Sequence, residues 1–227
     1  MKKKYTREVY KTKEDWLNHG RVIGGSSASA IVGLNPWLTT LELFNSFFQE
    51  RKPENSNTPS KAFGTAMEPL IRKQYRLTHP QYKVRDPKGY EMYRSTDFWW
   101  QTATVDGLLT ETATKRKGIW ECKTHDIRNA YDASEWETGS IPKNYLIQVL
   151  HYLLVLNDCS FVELTAWLNY YDFDDNGRSL RETKVKYYHI ERYDREVEVA
   201  LAWLQSAEND FMERVNMGVP PNGSIEF

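Results

Sequence analysis

The spacing of apolar and polar residues changes character along the chain, and the changes mark out its elements. Helical spacing runs through roughly 26–34, 40–51 and 61–78, the second stretch opened by Thr39-Thr40-Leu41-Glu42, which has the form of a capping box. Strand-like runs follow at about 82–86, 89–94, 98–105 and 118–124, rich in aromatic and β-branched residues. A helix is predicted near 142–157, starting at Pro142. Two long alternating runs, Phe161 to Tyr171 and Thr183 to Ile190, flank Asp174-Asp175-Asn176-Gly177-Arg178, whose Asn-Gly step predicts a hairpin turn. A last helix from about Asp194 to Asn216 places Val197, Ala200, Leu201, Leu204 and Phe211 on one stripe and stops at Gly218, where it is expected to cover a sheet. The stretch Lys52 to Ser60 has turn chemistry without periodicity and is expected to be a mobile loop. The order reads as a single α/β domain over residues 1–222, with 223–227 a disordered tail or residues foreign to the natural chain.

Candidate chemistry concentrates at Asp106, Glu121 and Lys123. The run Phe98 to Val105 delivers Asp106-Gly107 at its end, and the run Gly118 to Thr124 carries Glu121 and Lys123 two residues apart. Side chains alternate along a strand, so Glu121 and Lys123 share one face while Trp120 and Cys122 take the other. If the two strands pair through the connecting segment Leu108 to Lys117, Asp106 comes to lie beside Glu121. Paired carboxylates suit Mg²⁺, which prefers oxygen ligands and is usually held by one or two carboxylates together with substrate phosphate. The main-chain carbonyl of Cys122 is a possible third ligand. Lys123 can orient a water or add positive charge where negative charge develops. The bland alternative is a surface hairpin with a Glu/Lys pair, since Asp before Glu-x-Lys occurs by chance in many chains.

Other residues offer supporting chemistry. Ser26, Ser27 and Ser29 open an apolar run that ends at Gly33 and Asn35-Pro36, which reads as a short helix with a serine N-cap. With Arg21 just upstream, its N-terminus could grip a phosphate; an ordinary capped helix explains the same residues. Tyr145, Gln148, Val149 and Tyr152 form one helical stripe, mostly core by type, in which a buried Gln148 amide needs partners. Glu68 follows Gly64 by one turn and precedes Pro69, which either kinks a helix or begins one. Trp37 and the Trp99-Trp100 pair are candidates for stacking at a DNA end, Trp37 preferred, although most tryptophans are core.

Composition bounds these readings. The chain has 227 residues, 40% of them hydrophobic, enough for one full α/β core. No apolar run approaches a membrane span and the Lys-rich start lacks the apolar region of a secretion signal, so a soluble, intracellular (cytoplasmic) protein is expected. Two cysteines, Cys122 and Cys159, make neither a disulfide framework nor the ligand set of an iron–sulfur cluster. The net charge of −1 does not point to nucleic acid, but basic residues cluster at Lys2 to Lys13, at Arg72, Lys73 and Arg76, at Lys83, Arg85 and Lys88, and at Lys115 to Lys117. Such clusters are usually solvated faces; here they could line a duplex.

Five segments in order raise the odds of the metal reading: Arg21 to Pro36, Gly64-Thr-Ala-Met-Glu-Pro69, Thr104-Val-Asp-Gly-Leu108, Trp120-Glu-Cys-Lys-Thr124 and Tyr145-Leu-Ile-Gln-Val-Leu-His-Tyr152. In these the chain resembles the lambda-type phage exonucleases, the YqaJ-like viral recombinase family within the PD-(D/E)XK nuclease superfamily. The resemblance implies a restriction-endonuclease-like core, a central mixed β-sheet flanked by helices. It implies that Asp106 and Glu121 are metal ligands, Lys123 the catalytic lysine, Glu68 an acid at or near the metal, and Gln148 with Tyr145 part of the helix lining the site. It places Arg21 and the serines where a 5′-phosphate is held. It further implies Mg²⁺ as cofactor with Mn²⁺ as substitute, 5′→3′ resection of linear double-stranded DNA, a homotrimeric ring and a partner single-strand annealing protein. Two other classes stay open: a site-specific endonuclease using the same triad, and a non-catalytic DNA-end binder, which the intact triad speaks against.

Overall fold

The structure is a computed structural model that describes residues 2–49, 58–137, 139–174 and 177–221. In chain order its elements are β1 (Tyr5–Tyr10), α1 (Lys13–Leu17), α2 (Gly25–Ile31), α3 (Thr40–Ser46), α4 (Pro59–Thr78), β2 (Tyr82–Arg85), β3 (Tyr90–Ser95), β4 (Thr102–Ala103), β5 (Gly107–Glu111), β6 (Lys117–Ile127), α5 (Ala130–Glu137), α6 (Lys143–Val155), β7 (Phe161–Asp174), β8 (Gly177–Glu191) and α7 (Arg195–Met217). Five strands form a mixed sheet in the order β2-β5-β6-β7-β8, with only the β6–β7 pair parallel, and β1, β3 and β4 form a smaller antiparallel sheet.

The parallel β6–β7 pair requires a crossover, and α5 and α6 supply it. Helix α6 is buried along most of its length, as its near-continuous apolar sequence requires, and packs with the inward side chains of β6 and β7 and with α7 into the main core. A second cluster of Ile71, Tyr75, Leu109, Trp120 and Phe161 lies between α4 and the outward side of the sheet. The two clusters take alternate residues of β6, Ile119 in one and Trp120 in the other, so the sheet is covered on both faces. No helix among the described residues is long and apolar enough to cross a membrane.

Most predicted elements are present, with informative departures. The run 98–105 is not a strand beside the Glu121 strand. Phe98 to Trp100 form a turn, with Trp99 exposed and Trp100 buried, and β4 belongs to the smaller sheet. The partner of β6 is β5, inside the segment expected to be a connector, and the chain reverses through Lys115 at a left-handed φ of 63°. The N-cap of α2 is Gly24 and not a serine; Ser27, at the third helical position, exchanges hydrogen bonds with the Gly24 main chain instead. Thr58 caps α4, so the expected loop ends there; its residues 52–57, the turn residues 175–176 and the tail 223–227 lie outside the described residues. Helix α4 runs through Pro69. The Lys-rich start is in part a strand, β1, because Tyr5, Thr6, Val9 and Tyr10 supply the extended, paired character between its charges.

Several basic clusters are spent inside the fold. Arg72 is buried against Glu68, Arg85 pairs with Glu91, Arg76 with Asp86, Arg116 with Glu111 and Glu191, and Lys117 with Asp158. These side chains hold elements together and are not an unbroken duplex-facing stripe.

Candidate active site

A cleft of about 230 Å³ is lined by Gly64, Thr65, Glu68, Asp106, Glu121, Cys122, Lys123, Thr124, Gln148 and Tyr152. The register explains how β5 and β6 build it. Gly107 pairs with Trp120, so Asp106, one residue before β5, reaches the level of Glu121 and Cys122. Its Oδ2 accepts the Cys122 main-chain N–H at 2.9 Å, which fixes the carboxylate against the strand. Glu121 and Lys123 share the face toward α6, as alternation requires, and Lys123 Nζ donates to Glu121 Oε1 at 2.7 Å.

Helix α6 closes the other side. Gln148 Nε2 donates to Glu121 Oε1 at 2.9 Å and to the Tyr152 hydroxyl at 2.7 Å, so the buried amide has the partners it needs. Tyr145 is outside the lining; its ring lies 4.9 Å from Lys123 Nζ, a cation–π contact. Two glycines let helices approach. A Cβ on Gly25 would fall 2.3 Å from Tyr152 Cε1 and 2.9 Å from Gln148 Cγ, so the first turn of α2 rests directly on the site-facing part of α6. A Cβ on Gly64 would meet Thr124 Oγ1 at 3.1 Å, where α4 crosses β6.

The electrostatics are those of an incompletely balanced acidic cluster. Burial and the neighbouring Asp106 charge push the Glu121 carboxyl up to about 8, against the pull of Lys123. Burial raises Asp106 as well, opposed by Lys123, the Cys122 N–H and Arg72. Burial would lower Lys123, but Glu121 and Asp106 more than offset it, so the side chain is held above the ordinary lysine value. Burial pushes the Cys122 thiol up, which makes it inert. Glu121 is 2% exposed, and its Oε2 is buried without a hydrogen-bond partner. An ionised oxygen in that state is costly, which is why the carboxyl is pushed up, and a cation in the cleft would remove the cost.

The structure thus gathers Glu68, Asp106, Glu121, Cys122, Lys123 and Gln148 around one cleft, with Tyr145 behind Lys123. Among the described residues, no three acidic, cysteine or histidine side chains form a ready metal cage, and Glu68 is bonded to Arg72. Two carboxylates with an unpartnered oxygen still suit a hard divalent cation that keeps most of its waters. The residues singled out for a phosphate are outside the cleft lining. Arg21 donates to the Ser46 main-chain carbonyl, Ser27 is used in capping, Ser29 is buried, and Ser26 and Trp37 are exposed, Trp37 at 73%. Arg72 and Tyr152 are not among the site residues expected from the sequence. Tyr152 follows Gln148 by one helical turn, which was the available signal.

An acidic cleft on a strand pair at the centre of a mixed sheet, closed by a buried helix carrying a glutamine, defines the class. A YqaJ-like viral recombinase domain matches residues 15–159, and the chain belongs to that family. The Bacillus subtilis (strain 168) protein YqaJ is 35% identical over 146 residues, 64% of this chain but 43% of that protein, so the match spans less than half of the relative. Among solved structures, the alkaline exonuclease LHK-Exo of Laribacter hongkongensis superimposes with a TM-score of 0.62 at 14% identity, covering 91% of this chain and 94% of that one. LHK-Exo in complex with dAMP gives 0.59 at 15% identity, covering 91% and 95%. A phage-related exonuclease from Haemophilus somnus 129PT gives 0.54 at 16% identity, covering 90% and 99%. At these identities the likeness establishes the fold, the central mixed β-sheet flanked by helices expected from the sequence.

Proposed function

We propose that this chain is a Mg²⁺-dependent exodeoxyribonuclease that resects linear double-stranded DNA from the 5′ end, releasing mononucleotides and leaving a 3′ overhang for phage-type recombination. The observation that carries the reading is the unpartnered, buried Glu121 Oε2 beside Asp106 and Lys123. Family membership and a fold shared with exonucleases, one of them complexed with dAMP, support the substrate and product class. The polarity and the recombination role rest on the resemblance.

Asp106 and Glu121 would hold a cation, with the Cys122 carbonyl as a further oxygen donor, and Glu68 would stand at or near the metal site. When bound, Mg²⁺ supplies Lewis-acid stabilisation of the phosphoryl charge and lowers the pKa of water. Gln148 and Lys123 pin Glu121 through Oε1 and leave its second oxygen without a partner. Lys123 remains protonated and places positive charge where the scissile phosphate becomes more negative. In this reading the segment of Arg21, Ser26, Ser27 and Ser29 meets the 5′ end and Trp37 stacks on it; Ser26 and Trp37 are exposed for that, whereas Arg21 and Ser27 would have to leave main-chain partners and Ser29 is buried. A homotrimeric ring around the duplex and a single-strand annealing partner belong to the same reading.

The test follows a linear duplex and a covalently closed circle, labelled at 5′ and 3′ ends in parallel, with Mg²⁺ and with EDTA. Early loss of the 5′ label as mononucleotide with an intact circle is expected. A nicked circle would point to an endonuclease, and no cleavage of either to an end-binding protein.

A further inference from the structure

Glu68 differs from the other carboxylates of the cleft in its partner. Arg72, one turn later on α4, donates through Nη2 to Glu68 Oε1, and the same nitrogen donates to the Asp106 main-chain carbonyl at 2.8 Å. The guanidinium lies 5.4 Å from the Trp120 ring, and Asp86 stands 3.7 Å from its Nε. Arg72 is therefore held from α4, from the start of β5, from β6 and from the β2–β3 connection. Its side chain is 9% exposed, against 30% for Glu68. Of the two partners, the arginine is fixed and the glutamate has room to move.

A fixed guanidinium does two things in an acidic cleft. It satisfies one Glu68 oxygen through a single N–H, and it sets a positive charge beside the Glu68 carboxylate and the Asp106 main chain. The unpartnered Glu121 Oε2 has no such competitor, because Lys123 and Gln148 both bond the other oxygen of that carboxylate.

We infer that Arg72 is a resident counter-cation that competes with a divalent ion for Glu68. The cleft then has two unequal cation positions: a strong one at Asp106 and Glu121, and a weaker one that fills only when Glu68 leaves Arg72. Arg72 is in this sense a positioning residue; it acts through Glu68 and through the Asp106 main chain. The inference rests on the proposed cation-dependent reading of the cleft.

Titration of the full chain with Mn²⁺ alone, by calorimetry and by electron paramagnetic resonance of the free ion, reads both positions without turnover. The wild type is expected to show one strong event and a second at least about tenfold weaker, since a nearby buried charge readily supplies that factor. Arg72→Gln is expected to strengthen the weak event at least about fivefold and to leave the strong one within about twofold, whereas Arg72→Lys, which keeps the charge, stays near wild type. Glu68→Gln in the otherwise natural chain should delete the weak event and spare the strong one. Circular dichroism checks that each variant is folded. Unchanged Mn²⁺ binding in folded Arg72→Gln, or a weak event that survives Glu68→Gln, overturns the inference; the latter decides even if Arg72→Gln fails to fold. Failure of the underlying reading looks different: the wild type would bind no Mn²⁺, or Asp106→Asn would bind it as the wild type does.

Discussion

Helix α6 joins two buried ionic clusters that are built in opposite ways. Around Gln148, the cleft leaves Glu121 Oε2 without a partner and pushes the carboxyls of Asp106 and Glu121 upward. Around His151, three residues further along, nothing is left over. His151 Nδ1 meets Glu208 Oε1 at 2.7 Å, its Nε2 meets the Thr102 carbonyl at 2.9 Å, and Glu208 Oε2 accepts from Gln101 Nε2 at 2.7 Å. Both ring nitrogens face acceptors, which favours the imidazolium; burial alone would lower His151, but Glu208 and the carbonyls raise it. Both His151 and Glu208 are fully buried. A closed network of this kind ties α7 and β4 to α6, whereas an open one is a place prepared for something that arrives.

The comparison breaks most visibly in activity. Asp106→Ala or Lys123→Ala is expected to lower nuclease turnover by about 10³-fold or more while duplex binding, measured by anisotropy, survives; comparable turnover in either variant would sink the mechanism. Removing Glu208 should leave the cleft's chemistry in place but cost about 3–5 kcal/mol of stability in denaturant unfolding, because an uncompensated buried imidazolium remains. Gly25→Ala forces a methyl into Tyr152 and Gln148 and is expected to cost about 1–3 kcal/mol with a loss of turnover out of proportion to it. The smallest effect is the pH dependence of the metal-free protein. A carboxyl raised from the ordinary glutamate value to about 8 contributes stability that is complete below the ordinary value and is lost as pH rises through about 8. Between pH 7 and 9 the Glu121 share of that loss is about 1 kcal/mol, and Glu121→Gln should remove it from the stability profile. The raised His151 changes in the same direction, losing its contribution as pH climbs above the ordinary histidine value, so the Glu121→Gln profile should flatten only in part.

The sequence made the periodic elements legible. The β7–β8 hairpin, α6 and α7 follow from apolar spacing, and the Glu121/Lys123 face follows from alternation. The strand paired with β6 differs from the one expected for a physical reason. Phe98-Trp99-Trp100 has high strand propensity, yet the structure needs Trp100 in the core and Trp99 outside, so the segment turns. The true partner, Gly107 to Glu111, ends at a reversal through Lys115, without the Asn-Gly signal that marks most such turns. Arg72 read as part of a basic cluster because nothing in a single sequence says that its guanidinium lies over Trp120 and bonds the Asp106 carbonyl. The phosphate segment was legible as a short helix, but not its use of Ser27 for capping or the burial of Ser29.

Strand β6 has a neighbour on each side, β5 and β7, and its residues Glu121 to Lys123 sit inside the long parallel ladder with Leu164 to Ala166. Except for that of Cys122, which is donated to the Asp106 carboxylate in the cleft, their amide hydrogens should be among the last in the protein to exchange with solvent, opening only when the whole sheet opens, whereas those of the exposed first turn of α4, around Ser60 and Lys61, should exchange early. One wall of the cleft is therefore as durable as the folded state itself, and adjustment to a changing occupant falls to the helix wall that faces it.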